Sequence, residues 1–215
     1  MPHGSRPRLT KNEVAHVTVK LVAGLPSLRE GEALGVVRAA IGRVNQGGVI
    51  RIVEFSIQSN HVHLIVEAGN SAHLSAGMAS LNTGLGMRLN RIWGRTGQGS
   101  VFKERFHMVV VKSPTQVRYL LNYVLRNDLH HRLGLGTLDP CSSAPSFGGW
   151  TELQGARDKE RTMVAAESCV SVEARGWLLR RGWWEKSRGK EKLSLHRGPR
   201  VVTRTVTTSR QVLLS

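Results

Sequence analysis

Two runs rich in β-branched residues stand two positions apart in this chain: VIRIVEFSIQ, residues 49–58, and HVHLIVE, residues 61–67, with Ser59 and Asn60 between them. Strands this close in sequence pair antiparallel through a tight turn, so the segment is predicted to be a β-hairpin. The hairpin constrains its surroundings, because a helix-length segment lies on each side of it. Upstream, LPSLREGEALGVVRAAIGRVNQGG carries apolar residues at helical spacing, with Pro26 and Ser27 as a start signal and Gly47–Gly48 as a stop. Before that, HVTVKLV, residues 16–22, alternates as a strand. Downstream, NSAHLSAGMASLNTGLGMRLNRIWGR keeps helical spacing despite three internal glycines. VFKERFHMVVVK, residues 101–112, contains a fourth strand, and Ser113–Pro114 opens a helix, TQVRYLLNYVLRNDLHHRLG, with Gly134 at its end. Strand, helix, strand, strand, helix, strand is the ferredoxin-like order. The predicted fold is therefore α+β, an antiparallel sheet with helices on one face. A seventh element, a tyrosine-bearing helix, follows the last strand directly.

The character of the chain changes after about residue 135. TLDPCSSAPSFGGW is loop-like, and GWLLRRGWWEKSRGKEK holds three of the five tryptophans among basic residues. We read residues 1–135 as one domain and residues 136–215 as a small, basic, helical appendage with a tail. Cys141 and Cys169 are too few for a disulfide framework and lack CxxC zinc spacing. No apolar run reaches ~18 residues, so no membrane span is expected, and the basic N-terminus is not followed by a secretory core. Thirty-one Lys and Arg oppose fifteen Asp and Glu, a net charge of +16. Such a chain attracts polyanions, nucleic acid above all. There is no GxSxG elbow and no GxxxxGK[ST] loop, which leaves serine-hydrolase and P-loop chemistry without support.

Within the hairpin, His61 and His63 are two apart on a strand, so both project from one face while Val62 and Leu64 turn to the other. Two neutral imidazoles on a rigid strand make half of a divalent-metal site. An isolated HxH is more often a pair on a solvated face, so the reading requires a partner elsewhere. The last helix offers one. The chain has two tyrosines, Tyr119 and Tyr123, both in YLLNYVLRN. Tyr123 and Asn127 share a helical face by spacing, but so do Tyr119 and Tyr123, and spacing does not choose between the phenols. An amide oxygen suits a third metal position, and a phenol beside a metal-bound phosphate is a nucleophile. Glu54 and Glu67 flank the hairpin as further carboxylates, more simply read as solvated strand residues.

AHVTVK, SNHVHLIVE, GSVFKERFH and NYVLRND, in this order over residues 10–135, resemble the HUH single-strand endonucleases. They are most similar to the REP-associated tyrosine transposases, relatives of the single-tyrosine insertion-sequence transposases. Two positions depart from that pattern: the first strand begins Ala15–His16 without an aromatic, and Asp128 stands where the family often has proline. The resemblance implies metal ligands at His61 and His63, a nucleophile at Tyr123, and Asn127 as third ligand or site-shaping amide. It implies Mg²⁺ or Mn²⁺ as cofactor and a covalent 5′-phosphotyrosine intermediate. The implied substrate is single-stranded DNA beside a hairpin formed by palindromic repeats, met in the cytoplasm at the nucleoid. Arg88, Arg91, Arg95, Lys103 and Arg105 cluster around the second helix and the loop after it, and are candidates to hold phosphates. Trp177, Trp183 and Trp184, with Arg180 and Arg181, fit either base stacking or the core of the appendage. Monomer and homodimer are equally compatible. Two other functions fit the same residues: a hairpin-binding module without chemistry, and an RNA-processing nuclease on the same scaffold that would not need Tyr123.

Overall fold

The computed structural model describes residues 7–127, 138–150, 170–186 and 193. Its elements are β1 (Val14–Lys20), α1 (Gly31–Gly47), β2 (Ile50–Ile57), β3 (His61–Ala68), α2 (Ser71–Ile92), β4 (His107–Val111) and α3 (Pro114–Leu125). The strands form one antiparallel sheet in the order β2-β3-β1-β4. β3 therefore lies between β1 and β2, as the ferredoxin-like order requires. No helix among the described residues is long and apolar enough to cross a membrane.

Alternation sorts each strand between two faces. On the first face Ala15, Val17, Val19, Val62, Leu64 and Val66 pack against Val37 and Ile41 of α1 and Met78, Leu81 and Leu85 of α2. α2 tolerates Gly77 because the fold needs it: a Cβ there would lie 2.6 Å from the Ile50 side chain. The helix can approach β2 this closely only where it has no side chain. α1 ends at Gly48, whose φ of 70° is the left-handed cap that glycine adopts without strain.

The second face is covered too. Val14, Val53, Ile65 and Val111 pack against Val117, Leu121 and Val124 of α3, and against Trp150, Leu178, Leu179 and Trp183. A register shift between Ile52 and Glu54 makes this possible on β2. The irregularity leaves Ile52 and Phe55 in the first core while Val53 joins the second. α3 starts with a full capping box, Ser113 with Gln116, and has proline in its first turn. Leu178–Gly182, wound as a π-type turn, continues into the helical turn Trp183–Glu185 beside it. Trp183 is thus core, as one of the two readings of the tryptophans had it, Trp184 packs against that core, and Trp177 is half exposed.

Polar ties bind the late segments to the sheet. Asp139 receives a paired hydrogen bond from Arg29 (2.9 and 2.8 Å), and Ser143 Oγ accepts from Phe55 N at 2.9 Å. Glu67 accepts from the backbone of Arg175 and Gly176, each at 2.9 Å. Glu54 is buried against the Ser143 hydroxyl. Neither carboxylate is a solvated strand residue, contrary to the simpler expectation.

Three boundaries differ from the sequence reading. α1 begins at Gly31 and not at Pro26–Ser27, because Leu28 is buried in the core and Arg29 is anchored on Ile57 O and Asp139. β1 occupies Val14–Lys20 and not residues 16–22; Leu21 and Val22 instead bind the 101–102 loop through a bridge and a 2.9 Å bond. α3 stops at Leu125, where Arg126 takes φ −115° and ψ 18°. Residues 128–137 lie outside the described residues, and with them the expected helix end at Gly134, Asp128, His130 and His131. Cys169 and most of the tail lie outside them as well.

Candidate active site: a histidine row beneath the tyrosine helix

Strand register builds the site on the second face. Ser56 of β2, His63 of β3, Thr18 of β1 and His107 of β4 stand opposite one another across the sheet. Residues directly opposite share a face. Two positions along β3, His61 faces Lys20, and on the other side of the row His16 stands between Ile65 and Val109. The apolar half of this face lies under α3, and the polar half gathers at the end of the sheet where β3 begins.

His63 is the centre of the cluster. Its Nε2 lies 3.1 Å from His61 Nε2 and 3.5 Å from the Tyr123 hydroxyl. Its Nδ1 lies 3.1 Å from His16 Nε2 and 3.2 Å from Thr18 Oγ1. The tyrosine ring stands edge-on to both His63 and His16, with centroids 5.2 and 5.9 Å apart. His61 is steadied from behind by Asn60, whose Oδ1 is 2.7 Å from Nδ1. An acceptor at that distance holds a proton on Nδ1 of His61 and leaves the Nε2 lone pair facing His63. For His63, a proton on Nδ1 shared with His16 or Thr18 leaves its Nε2 lone pair facing the same space.

Burial keeps these rings neutral. His63 is pushed down to about 3, first by desolvation and then by the neighbouring His61 and His16. His16 is lowered to about 4 by desolvation and by His107. A neutral imidazole is the form that ligates a metal. Two imidazoles bound to one cation at ~2.1 Å stand about 3 Å apart when adjacent in its shell. The 3.1 Å separation of the two Nε2 atoms fits that requirement. Among the described residues no group of three or more His, Cys, Asp or Glu is arranged to hold a metal ion. A cation here would take two imidazoles from the sheet and its remaining ligands from amide, phenol, water or phosphate oxygens.

The structure thus brings together three of the residues singled out in the sequence, His61, His63 and Tyr123. Tyr123 is 46% exposed, so its hydroxyl is accessible beside the imidazoles. Tyr119 is more exposed, and the ring contacts to the histidines come from Tyr123. Asn127 is buried two residues past the end of α3. Arg88 and Arg91 are exposed near the end of α2, Arg95 bonds Asn90 Oδ1 at 3.0 Å, and Lys103 and Arg105 are exposed on the following loop. A backbone bond of 3.0 Å from Lys103 N to Lys20 O sets that loop beside His61.

His16, Thr18 and Lys20 were missed as site residues. Their signal was available: His16 and Thr18 alternate in a strand in the same way as His61 and His63. Only the β1–β3 register, which no single strand encodes, places them against the pair.

Residues 27–127, from the approach to α1 through the end of α3, match the family model described as "Transposase IS200 like". A search of curated proteins gives no match. Among solved structures, a REP-associated tyrosine transposase bound to a REP hairpin is 17% identical, with 61% of this chain and 74% of that one covered at a TM-score of 0.49. A putative transposase from Deinococcus radiodurans is 12% identical, with 56% and 92% covered at a TM-score of 0.40. Through residues 27–127, which carry the histidine hairpin and the tyrosine helix, this chain is similar to the IS200-like transposases.

Proposed function

We propose that this protein is a transposase, a metal-dependent single-strand DNA nicking and joining enzyme of the REP-associated kind, with Tyr123 as nucleophile. One observation carries the reading: an accessible phenol stands 3.5 Å from one of two imidazole nitrogens that are themselves 3.1 Å apart. His61 and His63 hold a divalent cation, Mg²⁺ or Mn²⁺, with Asn127 as a further oxygen donor. When bound, the cation supplies positive charge that polarises the scissile phosphate.

The Tyr123 oxygen attacks phosphorus and loses its proton to water. The bond from phosphorus to the 3′-oxygen breaks, and that oxygen leaves as a 3′-hydroxyl after taking a proton. The downstream strand remains on the enzyme as a 5′-phosphotyrosine. One phosphodiester has been exchanged for another, so a second 3′-hydroxyl can reverse the step on a new strand without ATP. Strand exposure favours an unpaired substrate, since a phenol resting on a sheet does not reach inside a duplex. Arg88, Arg91, Arg95, Lys103 and Arg105 hold backbone phosphates, and palindromic-repeat hairpins present the strand. Residues 1–135 carry the chemistry as one domain, and residues 136–215 serve as its basic appendage. Both a monomer and a homodimer are compatible with this scheme.

The test is a denaturing gel. The protein is incubated with labelled single-stranded hairpin DNA and Mn²⁺ or Mg²⁺, beside Tyr123→Phe and His61→Ala. A denaturant-resistant protein–DNA band, absent from both variants, is expected. Hairpin binding with no band in the wild type would instead indicate a binding module. Metal-dependent RNA cleavage that survives Tyr123→Phe would indicate a nuclease.

A further inference from the structure

Beyond His61, on the side away from Tyr123, the end of the sheet opens into a cavity of about 660 Å³. It is lined by the β1 exit (Lys20–Leu25), by Ser27, by Ser59 and Asn60 of the hairpin turn, and by Lys103. No acidic side chain is among the lining residues. The volume lies within the usual range for small-molecule sites, about 300–1,000 Å³. Two features join it to the histidines. Asn60, which forms part of its wall, holds His61 at 2.7 Å, and Lys20 is the register partner of His61 on the same face. Its charge is held in place by backbone: Lys103 N bonds Lys20 O at 3.0 Å, and Val22 N bonds Val101 O at 2.9 Å. Leu21, Val22 and Leu25 supply an apolar wall beside these cations.

We propose that this cavity is the subsite for the nucleotide that leaves, the one whose 3′-hydroxyl is released by Tyr123. The inference rests on the proposed function and adds a direction to it. In phosphoryl transfer the attacking and leaving oxygens lie roughly in line. Tyr123 stands over His63 and His16. His61 is two residues further along β3, ~3.3 Å per residue, toward the turn that borders the cavity. A nucleophile on the His63 side therefore expels its leaving group toward the His61 side, where the cavity opens. Lys20 and Lys103 take the 5′-phosphate of that nucleotide, and the apolar wall takes its base.

A free 2′-deoxynucleoside 5′-monophosphate has the same groups as this leaving end, a 5′-phosphate and a 3′-hydroxyl. The probe is therefore each of the four deoxynucleoside 5′-monophosphates, titrated into ¹⁵N-labelled full-length protein and followed by NMR. Inorganic phosphate and the unphosphorylated deoxynucleosides are titrated in parallel. Saturable shifts are expected in the amides of Lys20–Leu25, Ser59, Asn60 and Lys103. Lys20→Ala with Lys103→Ala is expected to weaken binding about tenfold. Ala23→Trp fills the space from an exposed loop position and is expected to weaken it at least as much. Inorganic phosphate should move the lysine amides without those of Leu21 and Leu25. Shifts spread over the basic surface, or binding unaltered in both variants, overturn the subsite. Lack of a phosphotyrosine band leaves this titration unaffected, so the two readings fail separately. The variants' dispersed spectra check their folding, and the double lysine variant alters only exposed side chains.

Discussion

The two faces of the sheet are built from the same four strands, yet they do different work. The first face is continuous hydrocarbon, closed by α1 and α2. The second is divided. Half is a smaller apolar cluster under α3 and the late tryptophans, and half is a row of histidine, threonine and lysine. Neighbouring residues of one strand, Leu64 and His63, belong to opposite regimes. The first face makes the strands rigid, and the second uses that rigidity to hold imidazoles 3.1 Å apart. α3 belongs to both purposes: its buried side closes the second core, and its exposed side carries Tyr123.

Adjacent substitutions should separate these regimes most sharply. Leu64→Ala removes a fully buried side chain and is expected to cost about 3 kcal/mol, with loss of cooperative unfolding well below the wild-type midpoint in urea. His63→Ala, one residue away, should cost at least about 1 kcal/mol less, since it forms no part of the apolar clusters. It should nevertheless eliminate Mn²⁺ binding in calorimetry. Equal destabilisation by the two would break the division between faces.

The next effect falls on metal affinity. His16 lies 3.1 Å from the Nδ1 of His63 and orients that ring. His16→Phe keeps the bulk and loses the partner, so Mn²⁺ affinity is expected to fall about 10–100-fold, with the urea midpoint little changed. Retained affinity would mean that Thr18 alone orients His63.

A smaller effect appears in pH dependence, where two buried groups pull in opposite directions. His63 and His16 have folded-state values of about 3 and about 4, below their ordinary 6.5. Below 6.5 the unfolded chain binds more protons, so stability falls as pH drops from 6.5 toward 4 for His16 and toward 3 for His63. Glu54 is the reverse: desolvation raises it to about 8, against a modest opposing bond from Ser143. It favours the folded state below pH 4.5, and that contribution is lost as pH rises toward 8. Glu54→Gln should remove the alkaline loss, raising the melting temperature at pH 8 relative to pH 5. An unchanged pH profile would show that Glu54 is ionised in the fold. The least effect is expected at Ser113, where removing the α3 cap with Ser113→Ala should cost about 1 kcal/mol and reduce phosphotyrosine yield only through that loss.

Much of this was legible in the chain. The hairpin, the capped start of α3 and the order of elements rest on local signals: alternation, a two-residue turn, and Ser-Pro before an apolar period. His61 and His63 were legible for the same reason, since i and i+2 on a strand share a face whatever else folds around them. The start of α1 was misread because Leu28 and Arg29 serve partners far away, the core and Asp139. That α3 stops at Leu125, ahead of Asn127, is not legible from spacing alone.

What the sequence determined by itself is the periodicity of each element and the identity of its reactive side chains, because these depend on neighbours a few residues apart. What only the tertiary structure decided is which reactive groups meet. The choice of Tyr123 over Tyr119 at the histidines comes from where α3 packs along the sheet. The entry of His16 and Lys20 comes from the pairing of β1 with β3, and the burial of Glu54 from a segment some ninety residues later. Register and helix docking are set by packing over the whole core, and no window of local sequence contains them.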